Sequence, residues 1–192
     1  AKYNDRVLVE YDLRSFREDG FSKDVFLLQS DAPLETRMLQ AVLVSLYRQK
    51  VAEKNRIALK PVVLFKSKTI KESQENHRIF CGLITHLDSA TVKSALNAPK
   101  NETEKTIISK AIQFFITNND DAEALVNDIR SAFAPVRLVE VNSTDDAGNK
   151  QILLNTLESH TNEIRAIFAV DMLNEGWDVL NLFDIVRLYG AR

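Results

Sequence analysis

Cysteine is nearly missing. Cys81 stands alone among 192 residues, so no internal disulfide can form, and a lone thiol suits a reducing compartment. Its neighbours Ile79, Phe80, Leu83 and Ile84 are apolar, and nothing beside it would lower its pKa to that of a nucleophile. Glycine is scarce as well. None of Gly20, Gly82, Gly148, Gly176 and Gly190 precedes a lysine, which excludes the Gly-Lys-Ser/Thr loop that cradles phosphates. No GxGxxG occurs, so a dinucleotide-binding Rossmann domain would have to work without its glycine turn. The histidines His77, His86 and His160 are far apart and have no paired cysteines, a poor set for zinc. The strand-turn-helix serine elbow of a hydrolase is absent too. Apolar runs such as Val62 to Phe65 fall far short of the roughly 18 to 20 residues that span a bilayer. The opening AKYNDRVLVEYD lacks the basic start, apolar middle and cleavage site of a signal peptide, so the cytoplasm is the expected compartment. A chain without these parts is expected to be catalytically inactive alone.

What is present is a core and an uneven charge. A hydrophobic content of 45% is enough for one sizeable domain, with or without an appendage. The net charge is only −2, yet Arg48, Lys50, Lys54, Arg56, Lys60, Lys66, Lys68 and Lys71 face a single acidic residue, Glu53, giving that segment +7. Between Asn101 and Asp128 the balance is acidic. One end of the molecule is therefore expected to attract polyanions, with a solvated helix face and an ordinary loop as the plainer reading.

Periodicity divides the chain into alternating strands and helices. Val7 to Leu13 reads as a strand, Asp19 to Lys23 as a turn, and Val25 to Leu28 as another strand. Asp31 can cap a helix with Pro33 in its first turn. Leu34, Met38, Val42 and Leu46 then repeat along one face to about Asn55. Pro61 stops helix, and Val62 to Phe65 is the continuous apolar run of a strand buried on both faces. Ser67 or Thr69 can cap a helix from Ile70 to Leu87, and Ala98 to Asn101 separates it from the next. That one carries Ile107, Ile108, Ala111, Ile112 and Phe115 on one side. A further helix turns Leu125, Ile129 and Phe133 inward and ends at Pro135. Val136 to Val141 reads as a strand, Asn142 to Asn149 as a loop, Lys150 to Glu158 as a helix and Ile164 to Val170 as a strand. Glu72, Glu75 and Arg78 read as a solvated helix face. Strand and helix in this alternation predict an α/β fold, a mostly parallel twisted sheet with helices on both faces.

One corner stands out. After Ile164 to Val170 come Asp171, Asn174, Glu175, Gly176, Trp177 and Asp178, and then a second apolar strand. Polar groups at the strand ends of an open α/β sheet lie where such folds bind ligands, and Gly176 lets backbone turn sharply and come close to one.

The run AVDMLNEGWDVLNLFDIVRL, residues 169–188, resembles motif V in the second RecA-like motor domain of superfamily 2 helicases, specifically the Res subunit of type III restriction enzymes. VVLFKSK, residues 62–68, looks like motif IV, a strand whose tip leads toward nucleic acid. YDLRSFREDGFSK, residues 11–23, is similar to the segment joining the two motor domains. The resemblance implies a connector over residues 1–32 and a second RecA-like domain over 33–192, without a P-loop of its own. It implies contacts to the DNA backbone from Lys66, Ser67, Lys68, Asp171 and Asn174. Glu175, Gly176 and Asp178 would lie by the ATP or brace the arginine motif. Trp177 has two roles open to it, capping the core behind the turn or stacking on a base. Of motif VI only Tyr189-Gly190-Ala191-Arg192 is present, which makes Arg192 the candidate arginine finger, with a plain terminal arginine as the other reading.

ATP and Mg would be held mainly by a first motor domain that this chain lacks. The implied partners are double-stranded DNA, that first motor domain and a DNA methyltransferase subunit, with no membrane. The implied activity is ATP-dependent DNA translocation by the longer protein. A non-catalytic module binding nucleic acid or protein is the alternative, and a Rossmann-like small-molecule enzyme a third, weakened by the lack of a glycine turn, nucleophile or acid/base pair.

Overall fold

The computed structural model of the chain describes residues 12–19, 32–97, 106–118, 121–141, 152–170 and 179–189. Two compact units divide it, Ala1–Asp31 and Ala32–Arg192. In the first, helix α1 spans Leu13–Glu18. The carboxylate of Asp12 accepts from the amide of Ser15 at 2.8 Å, a cap that starts a helix where periodicity continues a strand into Leu13. Of the expected turn only Asp19 is described, and the strand from Val25 to Leu28 lies outside the described residues.

The second unit is built on four parallel strands, β1 (Val62–Ser67), β2 (Leu138–Val141), β3 (Ala166–Val170) and β4 (Leu182–Arg187), in the order β2-β3-β1-β4. It is an α/β arrangement consistent with a RecA-like domain. Val62, Val63, Leu64 and Phe65 are all fully buried, because β1 is central and covered on both faces. Alternation sends them to different cores. Val63 and Phe65 join Phe168 and helices α2 (Leu34–Lys54), α3 (Ile70–His86), α4 (Ser89–Leu96), α5 (Ile107–Thr117) and α6 (Ala122–Ala132). Val62 and Leu64 join Ile167 and Ala169 under Leu154 and Leu157 on the opposite face. Most of the described helical mass thus lies on one side.

Several boundaries differ from the sequence expectation for local reasons. Pro33 occupies the N-cap of α2 without a side-chain bond, and Asp31 lies outside the described residues. At the other end of α2, Arg56 takes the left-handed conformation, φ 61°. Its amide donates to Glu53 O and that of Ile57 to Ala52 O, both at 2.9 Å, a Schellman closure that normally uses glycine. A separate helix, α4, follows α3 because Asp88 caps it, accepting from Thr91 N at 2.7 Å. Strand β2 begins at Leu138 rather than Val136, since Pro135 opens a 3-10 turn over Pro135–Arg137. The expected helix from Lys150 to Glu158 is helical over 152–155 in its described part. It ends early because the Asn162 side chain donates to Leu153 O at 2.7 Å and holds the Thr156 hydroxyl. Strand β3 begins at Ala166 rather than Ile164, after Arg165. The loop from Asn142 to Asn149 and the linker from Ala98 to Asn101 lie outside the described residues.

Candidate nucleic-acid interface at the strand ends

The connections out of β1 and β3 leave in opposite directions. From β1 the chain passes through α3 to α6 and returns as β2, beyond β3; from β3 it steps across β1 to reach β4 on the other side. Helix α3 belongs to the first core, whereas Val179, at the described end of the β3 to β4 link, and Leu182, which opens β4, pack on the second. Adjacent parallel strands whose crossovers diverge this way open a crevice at their carboxyl ends, the usual ligand position of such sheets. Register sets the last residues of β1 and β3 side by side there: Lys66 pairs with Ala169 and Ser67 with Val170. Val170 is the residue before Asp171.

The β1 tip is held in three ways. Ser67 is 2% exposed and its hydroxyl accepts from Asn76 Nδ2 of α3 at 2.8 Å. The Lys66 carbonyl accepts from Leu188 N at 2.9 Å, tying the tip to the end of β4. Thr69 and Glu72 form a capping box: Thr69 Oγ1 accepts from Glu72 N at 3.2 Å, while Glu72 Oε2 accepts from Lys68 N at 3.0 Å and Thr69 N at 3.3 Å. Glu72 therefore already occupies the amides at the start of α3, where an anion would otherwise bind. Glu72 is exposed, as expected of a solvated helix face, but it also has the capping role, for which Thr69-Ile70-Lys71-Glu72 carries the spacing in plain view. Glu75 and Arg78 lie on the solvated face expected and form an ion pair there, 2.6 Å apart, each drawing the other toward its charged form. With Ser67 turned inward, solvent reaches Lys68 fully and Lys66 in part.

The +7 segment does not form one surface. Arg48 grips Asp184 of β4 with two bonds of 3.0 and 3.3 Å, Lys50 pairs with Asp128 at 2.7 Å, and Lys60 donates to the Asn162 carbonyl. Lys54 and Arg56 sit at the end of α2, before β1 begins, while Lys66, Lys68 and Lys71 lie at and beyond its far end. The six residues of β1 separate these groups by roughly 15–20 Å. The exposed basic charge is therefore smaller than the sequence total and is split, with Lys66, Lys68 and Lys71 at and beyond the strand tip.

Of the other candidate residues, Asp171, Asn174, Glu175, Gly176, Trp177, Asp178 and Arg192 lie outside the described residues. Burial pushes the Cys81 thiol up from 9.0, opposite to a nucleophile's shift. Among the described residues no group of three or more His, Cys, Asp or Glu is placed to hold a metal, and no helix is long and apolar enough to cross a membrane.

Over 206 aligned residues the chain is 37% identical to a protein of Haemophilus influenzae described as the probable type III restriction-modification enzyme HindVIP Res subunit. The match takes in 98% of this chain. The chain is a relative of a type III Res subunit. It spans 40% of that relative's length. No family model and no solved structure matches it.

Proposed function

We propose that this Res-related chain is the second motor domain of an ATP-dependent DNA translocase of the type III restriction kind. Its role is to grip the DNA backbone and to complete an ATP site. The observation that carries the reading is the register of β1 with β3. It sets the basic tip Lys66-Ser67-Lys68 beside the end of β3, whose last residue, Val170, precedes Asp171 in the sequence, at a topological switch point.

In this reading Lys66 and Lys68 contact phosphates, giving affinity and position rather than sequence readout. Ser67 is a positioning residue: bonded to Asn76, it fixes the backbone from which both lysines project. Asp171 and Asn174 are assigned to strand contact or coupling, and Glu175, Gly176 and Asp178 to the nucleotide side of the crevice. Arg192 is assigned to stabilising charge on the transferring phosphate. Bound ATP with Mg, held mainly by a first motor domain, would supply the energy of translocation. The partners proposed are that domain, double-stranded DNA and a DNA methyltransferase subunit, and the proposed compartment is the cytoplasm.

The test is ATP hydrolysis by the full-length polypeptide that contains this chain, with and without duplex DNA. The reading expects hydrolysis that DNA stimulates and that is abolished when Asp178 is replaced by alanine. Hydrolysis indifferent to DNA would overturn the DNA-translocase reading, and no hydrolysis would favour a non-catalytic binding module.

A further inference from the structure

We infer that Arg187 is a third phosphate-contacting residue, acting with Lys66 across the end of the β1–β4 pair. The inference rests on the proposed DNA-backbone role of the β1 tip and adds a residue that no sequence pattern marked. Arg187 is the last residue of β4, and it is the register partner of Lys66. Both side chains belong to the same face. Val62 and Leu64, four and two positions before Lys66, pack in the second core. On β4, Asp184 meets Arg48 of α2 and Val186 packs on the first core, which leaves Ile185 and Arg187 to the other side. Ile185 opposite Leu64 and Arg187 opposite Lys66 are therefore successive rows of that face.

Two like charges facing each other on neighbouring strands repel, and a sheet is more stable without them. Among the described residues neither has a carboxylate partner to offset this. The nearby acids are otherwise engaged: Asp184 by Arg48, and Glu72 by the amides of Lys68 and Thr69. Arg37 adds to the positive end, its Nη1 donating to the Arg187 carbonyl at 3.0 Å and so fixing the strand terminus. Arg187 is exposed and Lys66 half-exposed, so a ligand can reach both. Lys66 and Arg187 stand on neighbouring strands about 4.8 Å apart, and Lys68 follows one residue beyond the β1 tip. Exposed cations spread along the strand ends fit a chain of phosphates, as a nucleic-acid backbone provides.

The experiment is the salt dependence of binding to a labelled duplex of mixed sequence, read by fluorescence anisotropy on the 192-residue chain. Removing one cation that neutralises a phosphate lowers the slope of log affinity against log salt by about one. R187Q is expected to do so, R187K to keep the slope, and K66Q with R187Q to lower it by about two. Arg187→Thr, which suits a strand, repeats the test should the glutamine variant misfold. A normal slope in R187Q with a reduced one in K66Q overturns the role of Arg187 and leaves the β1 reading standing. An unchanged slope in both, or no duplex binding at low salt, overturns both.

Discussion

Asn76 and Ser67 are joined by a 2.8 Å hydrogen bond between two buried side chains, one on α3 and one at the last position of β1. The bond determines what the tip can offer. It withdraws the hydroxyl from solvent and leaves the flanking lysines as the reachable groups. N76A orphans a buried hydroxyl and is expected to cost about 1–2 kcal/mol, whereas adding S67A removes the orphan and recovers part of that cost. Chemical denaturation of the two single variants and the double checks it. Strictly additive effects would mean that the bond contributes nothing.

Arg56 carries the conformation that glycine adopts without strain. Its backbone bonds complete the end of α2 and need no side chain. R56G is therefore expected to raise the unfolding free energy by roughly 0.5–1 kcal/mol, the relief of a left-handed residue less the added freedom of the unfolded chain. A thermal melt reads it, and a lowered midpoint would show that the Arg56 side chain contributes more than its backbone strain costs.

Asp184 points inward from β4 onto α2. Burial lifts its carboxyl above the usual 3.8, outweighing the opposite pull of Arg48. The folded protein thus holds this proton more tightly than the unfolded chain. The group's contribution is fullest below the unfolded pKa and is lost as pH rises through the folded one. D184N removes that dependence. Its stability relative to the unaltered chain should therefore climb as pH rises from below 3.8 and level off once Asp184 is ionised. A difference flat across the acid range would contradict the shift.

The legible parts of the fold were those set by local pattern. The repeat of Met38, Val42 and Leu46, the apolar run at Val62 and the inward trio Leu125, Ile129 and Phe133 all lie where burial puts them. Turn chemistry was harder, because a 3-10 turn at Pro135 and an Asn162 cap shorten elements that periodicity extends. Long-range pairing was out of reach. Arg165, 5% exposed, donates to Pro61 O, Gln49 and Ser45 and lies over the Phe133 ring, and burial pushes its pKa down to about 10. Nothing in its sequence neighbourhood marks an arginine that ties β1, β3 and α2 together. The same holds for the site. Lys66-Ser67-Lys68 was visible as a basic strand tip, but the diversion of Arg48, Lys50 and Lys60 to other partners, and the meeting of Lys66 with Arg187, depend on strand order and register.

The proposed grip on DNA is tested by the double variant K66Q/K68Q, through the slope of its duplex affinity against salt. A fall of about two in that slope, with the fold retained, is the result predicted from two phosphate contacts. A slope equal to that of the unaltered chain would contradict the proposal that the end of β1 holds the DNA backbone.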